Sequence, residues 1–256
     1  MSQIADKVTL SEPAFLTQFV PGHHTIPDQI AKAIAEHADA TAFADAELCL
    51  TYSDIAALAH ALKAHLPAHG PVAVFGKPST VFGAATTACI VMGRPFVHLD
   101  PAMPTDVLAN ILAELETKTV LQCQPAKDGQ LPEGCDLIDI PQIISERPPA
   151  ADDTIEAGRV KSDDAIYIVA TSGTTGKPKC IPVTQEAAFL SYAWRDAYTP
   201  YAPGQSIGAY IFAIWEMFRP LRDGARVCFP TFEQLLNPRE LAAFLIEHNI
   251  SEMLFT

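Results

Sequence analysis

Charge is scarce in this sequence, and positive charge scarcer still: 18% of the 256 residues are charged, with 17 Lys and Arg against 30 Asp and Glu. The formal net charge of −13 repels polyphosphate backbones at long range, and no basic run with interleaved aromatics offsets it, so nucleic acid is excluded as the main partner. An anionic small molecule stays admissible through local donors and a metal ion. No window approaches the roughly 18 apolar residues of a membrane span, and the opening MSQIADKVTLSEPAF lacks a basic segment followed by an apolar run. Membrane insertion and secretion are therefore not expected. Cys49, Cys89, Cys123, Cys135, Cys180 and Cys228 form no CxxC pair and no His/Cys cluster, so no zinc site or disulfide framework is expected and a reducing cytoplasm fits. Internal repeats and low-complexity blocks are also missing.

What is present is apolar sequence with alternating periods. At 49% hydrophobic residues the chain can bury a large core. Pro27 and Asp28 open a segment with Ile30, Ala33, Ile34 and His37 on one helical face. Thr51 and Asp54 have capping-box spacing ahead of the stripe Ile55, Leu58, Leu62 and Leu66. Val72 to Gly76 reads as a buried strand feeding a helix from Ser79 to Met92, and Pro95 to Leu99 as the next strand. Val107, Leu108, Ile111, Leu112 and Leu115 predict a helix, and Thr119 to Leu121 a strand. This β-α-β alternation predicts an α/β fold with largely parallel sheets flanked by helices.

From Gln124 to Asp164 the texture turns to prolines, glycines and acids, broken by the strand-like piece Leu137 to Ile140. We read 124–164 as a long surface connection rather than a domain linker, because Ala165 to Ala170 resumes as a strand of the same sheet. Asp152, Asp153, Asp163 and Asp164 read as solvated loop residues. Further on, Asn237, Pro238 and Glu240 start a helix whose buried face is Leu241, Phe244, Leu245 and His248, and Met253 to Thr256 begins a strand. Tyr52 and Trp194 read as packing residues, His23 and His24 as no metal site, and His98 as satisfying a local hydrogen bond.

The most informative stretch is Thr171 to Cys180, TSGTTGKPKC, directly after a strand, where α/β folds place ligand loops. Its glycines let backbone N–H groups approach a ligand, its hydroxyls add donors, and Lys177 and Lys179 add charge. These features suit a polyphosphate. The loop is not a Walker A sequence, since Gly173 and Gly176 are too close and Pro178 stands where Ser or Thr would be.

TSGTTGKPKC resembles the TSGTTGKPKG phosphate-loop signature of the adenylate-forming superfamily, which includes acyl-CoA synthetases, luciferases and nonribosomal peptide synthetase adenylation domains. It departs from the signature only at Cys180, which reads as a small residue in glycine's place rather than a lysine-activated thiol. Leu50 to Ile55 is similar to the L-T-Y-x-E-L signature, Met92 to Pro101 to K-A-G-x-x-Y-V-P-L-D-P, and Trp215-Glu216-Met217-Phe218 with Leu221, Gly224 and Ala225 to the W-E-I-F segment of the peptide-synthetase branch.

The resemblance implies a two-step ligase: a carboxylate attacks the α-phosphate of Mg2+-ATP to give an acyl adenylate and pyrophosphate, and a thiol then takes the acyl group. A phosphopantetheine carrier protein is the expected acceptor ahead of CoA. By carry-over, Thr171, Ser172, Gly173, Thr174, Thr175, Gly176 and Lys177 hold ATP phosphates, and Lys179 braces the loop. Lys177 and Lys179 are thus the catalytic candidates, Ile211, Phe212 and Trp215 the acid-pocket candidates, and no metal ligand is assigned. In amino-acid-activating members an aspartate four residues before the tryptophan pairs with the α-ammonium; here that position is Ile211. The expected substrate therefore lacks an α-amino group at the reacting carboxylate, or is activated through a side-chain carboxyl. The resemblance covers residues 1–256 as the N-terminal part of the large subdomain, with the remaining half of the enzyme and its C-terminal lid expected elsewhere. The alternative expectation is a fragment that only binds nucleotide weakly or supports an assembly.

Overall fold

The computed structural model describes residues 25–146, 155, 157–171, 178–210 and 214–255. Thr25 receives the Asp28 amide while the Asp28 carboxylate returns to the Thr25 amide, a capping box that opens α1 (Ile26–Glu36) with Ile30, Ala33 and Ile34 buried. Two short strands follow, β1 (Thr41–Ala44) and β2 (Cys49–Thr51). Thr51 and Asp54 close a second capping box at α2 (Tyr52–Leu62), as their spacing predicts. Next come β3 (Val72–Phe75), α3 (Thr80–Val91), β4 (Phe96–Leu99), α4 (Thr105–Glu114) and β5 (Thr119–Gln122), each within a residue or two of the expected bounds. Ser79 caps α3.

Inside the expected 124–164 connection lie β6 (Asp136–Asp139) and α5 (Ile140–Ser145). Ile140, expected as strand, instead opens the helix, because Asp139 caps it and Pro141 sits in its first turn. Asp152 and Asp153 lie outside the described residues, as do His23 and His24. Then β7 (Ala165–Thr171), β8 (Lys179–Thr184), α6 (Gln185–Asp196) and β9 (Ser206–Gly208) follow. A 3-10 turn at Ile214–Met217 runs into α7 (Phe218–Leu221), and the described chain ends with β10 (Arg226–Cys228), α8 (Phe232–Leu236), α9 (Pro238–Glu247) and β11 (Ile250–Met253).

The strands form two sheets. One has the order β6-β5-β3-β4-β7-β8 and is parallel except for the β7–β8 pair; the other has the order β11-β9-β10-β1-β2, with only β1–β2 antiparallel. β7 extends the first sheet through Phe96↔Tyr167 and Val97↔Ile168. α3 packs against β1 and β2 on one side and β3 and β4 on the other. It is therefore apolar on every face and buried along almost its whole length.

Two further expectations need correction. The last strand is Ile250–Met253, not a strand starting at Met253: Asn249 turns the chain with φ 49, and β11 then pairs with β9 from Ile250. On α9 only Phe244 is fully buried, since the helix packs on a small cluster with Ala44 and Cys228; Leu241 and Leu245 are partly covered, and His248 caps the helix end beside the Phe244 ring. Tyr52 is a core residue whose hydroxyl donates to the carbonyls of Ala225 and Leu221, whereas Trp194 is half-exposed against Tyr198. Among the described residues no helix is long and apolar enough to cross a membrane.

Candidate functional site

The ends of the glycine-threonine segment are held by a strand pair. Thr171 closes β7 and Lys179 opens β8; the two residues are register partners, and the Thr171 hydroxyl donates to the Lys179 carbonyl at 3.3 Å. β8 carries Pro182, which is tolerated because this is an edge strand. Glu114, the last residue of α4, accepts the Cys180 amide at 2.9 Å. Burial and the nearby Glu114 push the Cys180 thiol up from its ordinary value, so it is a filler and not an activated nucleophile. Ser172, Gly173, Thr174, Thr175, Gly176 and Lys177 lie outside the described residues.

A cavity of about 600 Å³ opens at the C-terminal ends of β3, β4 and β7, the edge where open α/β sheets bind ligands. Ala170 lines it, so the chain passes directly from the cavity wall into the glycine-threonine segment. Phe96, Tyr167, Trp215 and Phe218 give it aromatic walls, with Lys77 and Asp100 among its charged residues. Asp100 Oδ1 already accepts the Ala102 amide at 2.8 Å. Of the acid-pocket candidates, Trp215 lines the cavity, while Ile211 and Phe212 lie outside the described residues. His98 makes the local hydrogen bond expected of it, with Nε2 2.7 Å from the Gly76 carbonyl. It also lines the cavity, which the sequence reading missed; the signal was its departure from the proline of the resembling family. Burial, aided by the nearby Glu216 charge, pushes the Tyr167 phenol up to about 12, so it stays a neutral donor.

Glu216 follows Trp215 but serves a different partner set. Its carboxylate pairs with Arg195 at the end of α6 and lies 3.8 Å from Arg219 Nε. Arg219 is only 2% exposed. Its Nη1 donates to Asp196 Oδ1 at 3.1 Å and to the Thr199 carbonyl at 2.8 Å, its Nη2 donates to the Tyr201 hydroxyl at 2.7 Å, and Glu252 lies at 3.4 Å. The guanidinium also stacks over the Tyr201 ring at 4.2 Å. Arg222 pairs with Asp196. The Tyr192 hydroxyl donates to the Trp215 carbonyl at 2.9 Å. α6, the Trp215 turn and β11 are thereby tied together, and the backbone that carries Trp215 is held by the Tyr192 bond to its carbonyl.

The family described as AMP-binding enzyme matches residues 30–256. The chain is 30% identical over 229 residues to glycine betaine reductase ATRR of Emericella nidulans, covering 85% of this chain and 18% of that protein. It is 25% identical to indigoidine synthase of Streptomyces lavendulae, covering 96% of this chain and 20% of that protein. The chain thus spans about a fifth of the length of these curated relatives. The N-terminal subdomain of Klebsiella oxytoca NpsA superposes with a TM-score of 0.70 at 17% identity, covering 90% of this chain and 60% of that one. With a family match along nearly all of its length, the chain belongs to the AMP-binding enzyme family, in which it is similar to the adenylation domains of nonribosomal peptide synthetases.

Proposed function

We propose that the chain forms the N-terminal core of an enzyme that activates a carboxylic acid as its acyl adenylate at the expense of ATP, releases pyrophosphate, and passes the acyl group to a carrier-protein thiol. The observation that carries this reading is the continuity of β7: Ala170 lines the cavity and the next residue, Thr171, begins the hydroxyl-rich segment that Lys179 closes. In-line attack on phosphorus needs charge neutralisation and positioning more than covalent help, and this segment offers both. Thr171, Ser172, Gly173, Thr174, Thr175, Gly176 and Lys177 hold the ATP phosphates, and Lys179 braces the loop. Magnesium accompanies the ATP, and among the described residues no three His, Cys, Asp or Glu side chains converge. The setting is a reducing cytoplasm.

Trp215, with Ile211 and Phe212, lines the acid pocket. Tyr210 to Ile214 contains no carboxylate, and an α-ammonium buried there unpaired costs several kcal/mol. The substrate is therefore an aryl, keto, hydroxy or fatty acid, or an amino acid activated through its side-chain carboxyl. The test is carboxylate-dependent exchange of pyrophosphate into ATP across a panel of acids, run on this chain and on a version extended past Thr256. Exchange with a non-α-amino acid supports the reading, and silence of both proteins with every acid sinks it. In the extended enzyme, Ile211→Asp is expected to raise kcat/KM for α-amino acids by about tenfold or more. A wild-type preference for standard α-amino acids at the α-carboxyl would overturn the pocket assignment.

A further inference from the structure

His98 stands on β4 where the resembling family has proline, and its ring forms part of the cavity wall. Nε2 lies 2.7 Å from the Gly76 carbonyl, which can only accept, so the ring proton sits on Nε2. Burial pushes the imidazole below its ordinary value, against the opposing pull of the Gly76 bond and Asp100, so the ring is neutral near pH 7. A neutral ring protonated on Nε2 leaves Nδ1 as an acceptor with a free lone pair. Among the described residues no hydrogen bond to Nδ1 is found, and the ring that carries it lines the cavity. The ring is held in place by an edge contact with Phe82, 4.7 Å between centroids, and Phe82 is itself buried.

Around this acceptor the walls are the rings of Phe96, Tyr167, Trp215 and Phe218. Flat aromatic walls favour a flat ligand, and a ring-held acceptor beside them selects for a donor at one point of the ligand's edge. We propose that His98 is a specificity-determining residue of the acid site, and that it selects an aryl carboxylic acid whose ring carries a hydroxyl donating to Nδ1. This rests on the acid-activation reading above, but the binding it requires is measurable without catalysis.

The chain has two tryptophans, and Trp194 is half-exposed on α6, away from the cavity lining. Trp194→Phe thus leaves Trp215 as the sole reporter inside the cavity. In that background, 2-, 3- and 4-hydroxybenzoate are titrated by fluorescence against the matching methoxybenzoates, which accept but cannot donate. At least one hydroxy isomer is expected to bind about tenfold tighter than its methoxy partner. His98→Leu should erase that ratio while leaving methoxybenzoate binding in place, and His98→Gln, which keeps an acceptor, should restore part of it. A ratio that survives in His98→Leu, no hydroxyl preference in the parent, or loss of the preference in Asp100→Asn instead would each overturn the assignment. Should His98→Leu fail to fold, the histidine ring nitrogens in the parent decide by NMR: hydroxybenzoate must shift Nδ1 and leave Nε2 protonated. Exchange activity fails separately, since hydroxybenzoate binding with no pyrophosphate exchange by the extended enzyme with any acid would sink the adenylation reading and leave this one standing.

Discussion

Arg219→Met is expected to lower the unfolding free energy by about 3–5 kcal/mol in urea titrations, one of the two largest effects anticipated for this chain. Methionine matches the volume of the buried stem but removes the cation that Asp196, Glu216, Glu252 and the Tyr201 ring share. Arg195 still serves Glu216 and Arg222 still serves Asp196, so the carboxylate left most exposed to the loss is that of Glu252. Adding Glu252→Gln should recover part of the deficit, which a simple packing defect would not allow. The pH dependence has a defined sign. Burial already holds the Glu216 carboxyl above its usual value, with Arg195 and then Arg219 pulling it down. A group whose value is raised by folding contributes its stability fully below the unfolded value and loses it as pH rises through the folded one. Without Arg219 the Glu216 value climbs further, so the gap between variant and parent should be smaller at pH 5 than at pH 8. A variant within about 0.5 kcal/mol of the parent at both pH values would show that the ion network is dispensable.

None of this network was legible in the sequence, although Glu216, Arg219 and Arg222 lie within the segment whose motif was. The reason is physical: Arg195, Asp196, Arg219 and Glu252 come from α6, α7 and β11, and only the packing of those elements brings them together. Periodicity exposes a local pattern such as the Thr51–Asp54 capping box or the continuous apolar run of β3, and there expectation and structure agree closely. It fails for β1, β2, β9 and β10, strands of three or four residues too short to display a period. That is why four of the five strands of the second sheet went unread. β8 was hidden for another reason: Pro182 argues against a strand unless the strand is an edge, and edge position is a property of the sheet rather than of the segment. His98 was read correctly as hydrogen-bonded, but its place in the cavity wall depends on β3, β4 and β7 ending together.

The second large effect concerns ATP. In the extended enzyme, Thr174→Ala/Lys177→Ala is expected to lower kcat/KM for ATP by at least about tenfold, because each charge-assisted hydrogen bond to phosphate contributes on the order of 1.5–3 kcal/mol. The effect should be confined to the nucleotide. The described ends of the segment are held by the Thr171–Lys179 bond and by Glu114 on the Cys180 amide, neither of which the substitutions touch. Thermal midpoints of variant and parent should therefore agree within a few degrees, and acid binding reported by Trp215 fluorescence should be unchanged. Transition-state contacts lower kcat along with kcat/KM, whereas contacts felt equally in the ground state raise KM alone. Charge builds on the departing pyrophosphate as the carboxylate attacks, so a cation bound to that group tightens its grip during the step, and kcat should fall together with kcat/KM. A rise in KM with kcat intact would place Lys177 as a ground-state tether only. Unchanged ATP kinetics in a folded, acid-binding variant would remove the segment from the nucleotide site altogether.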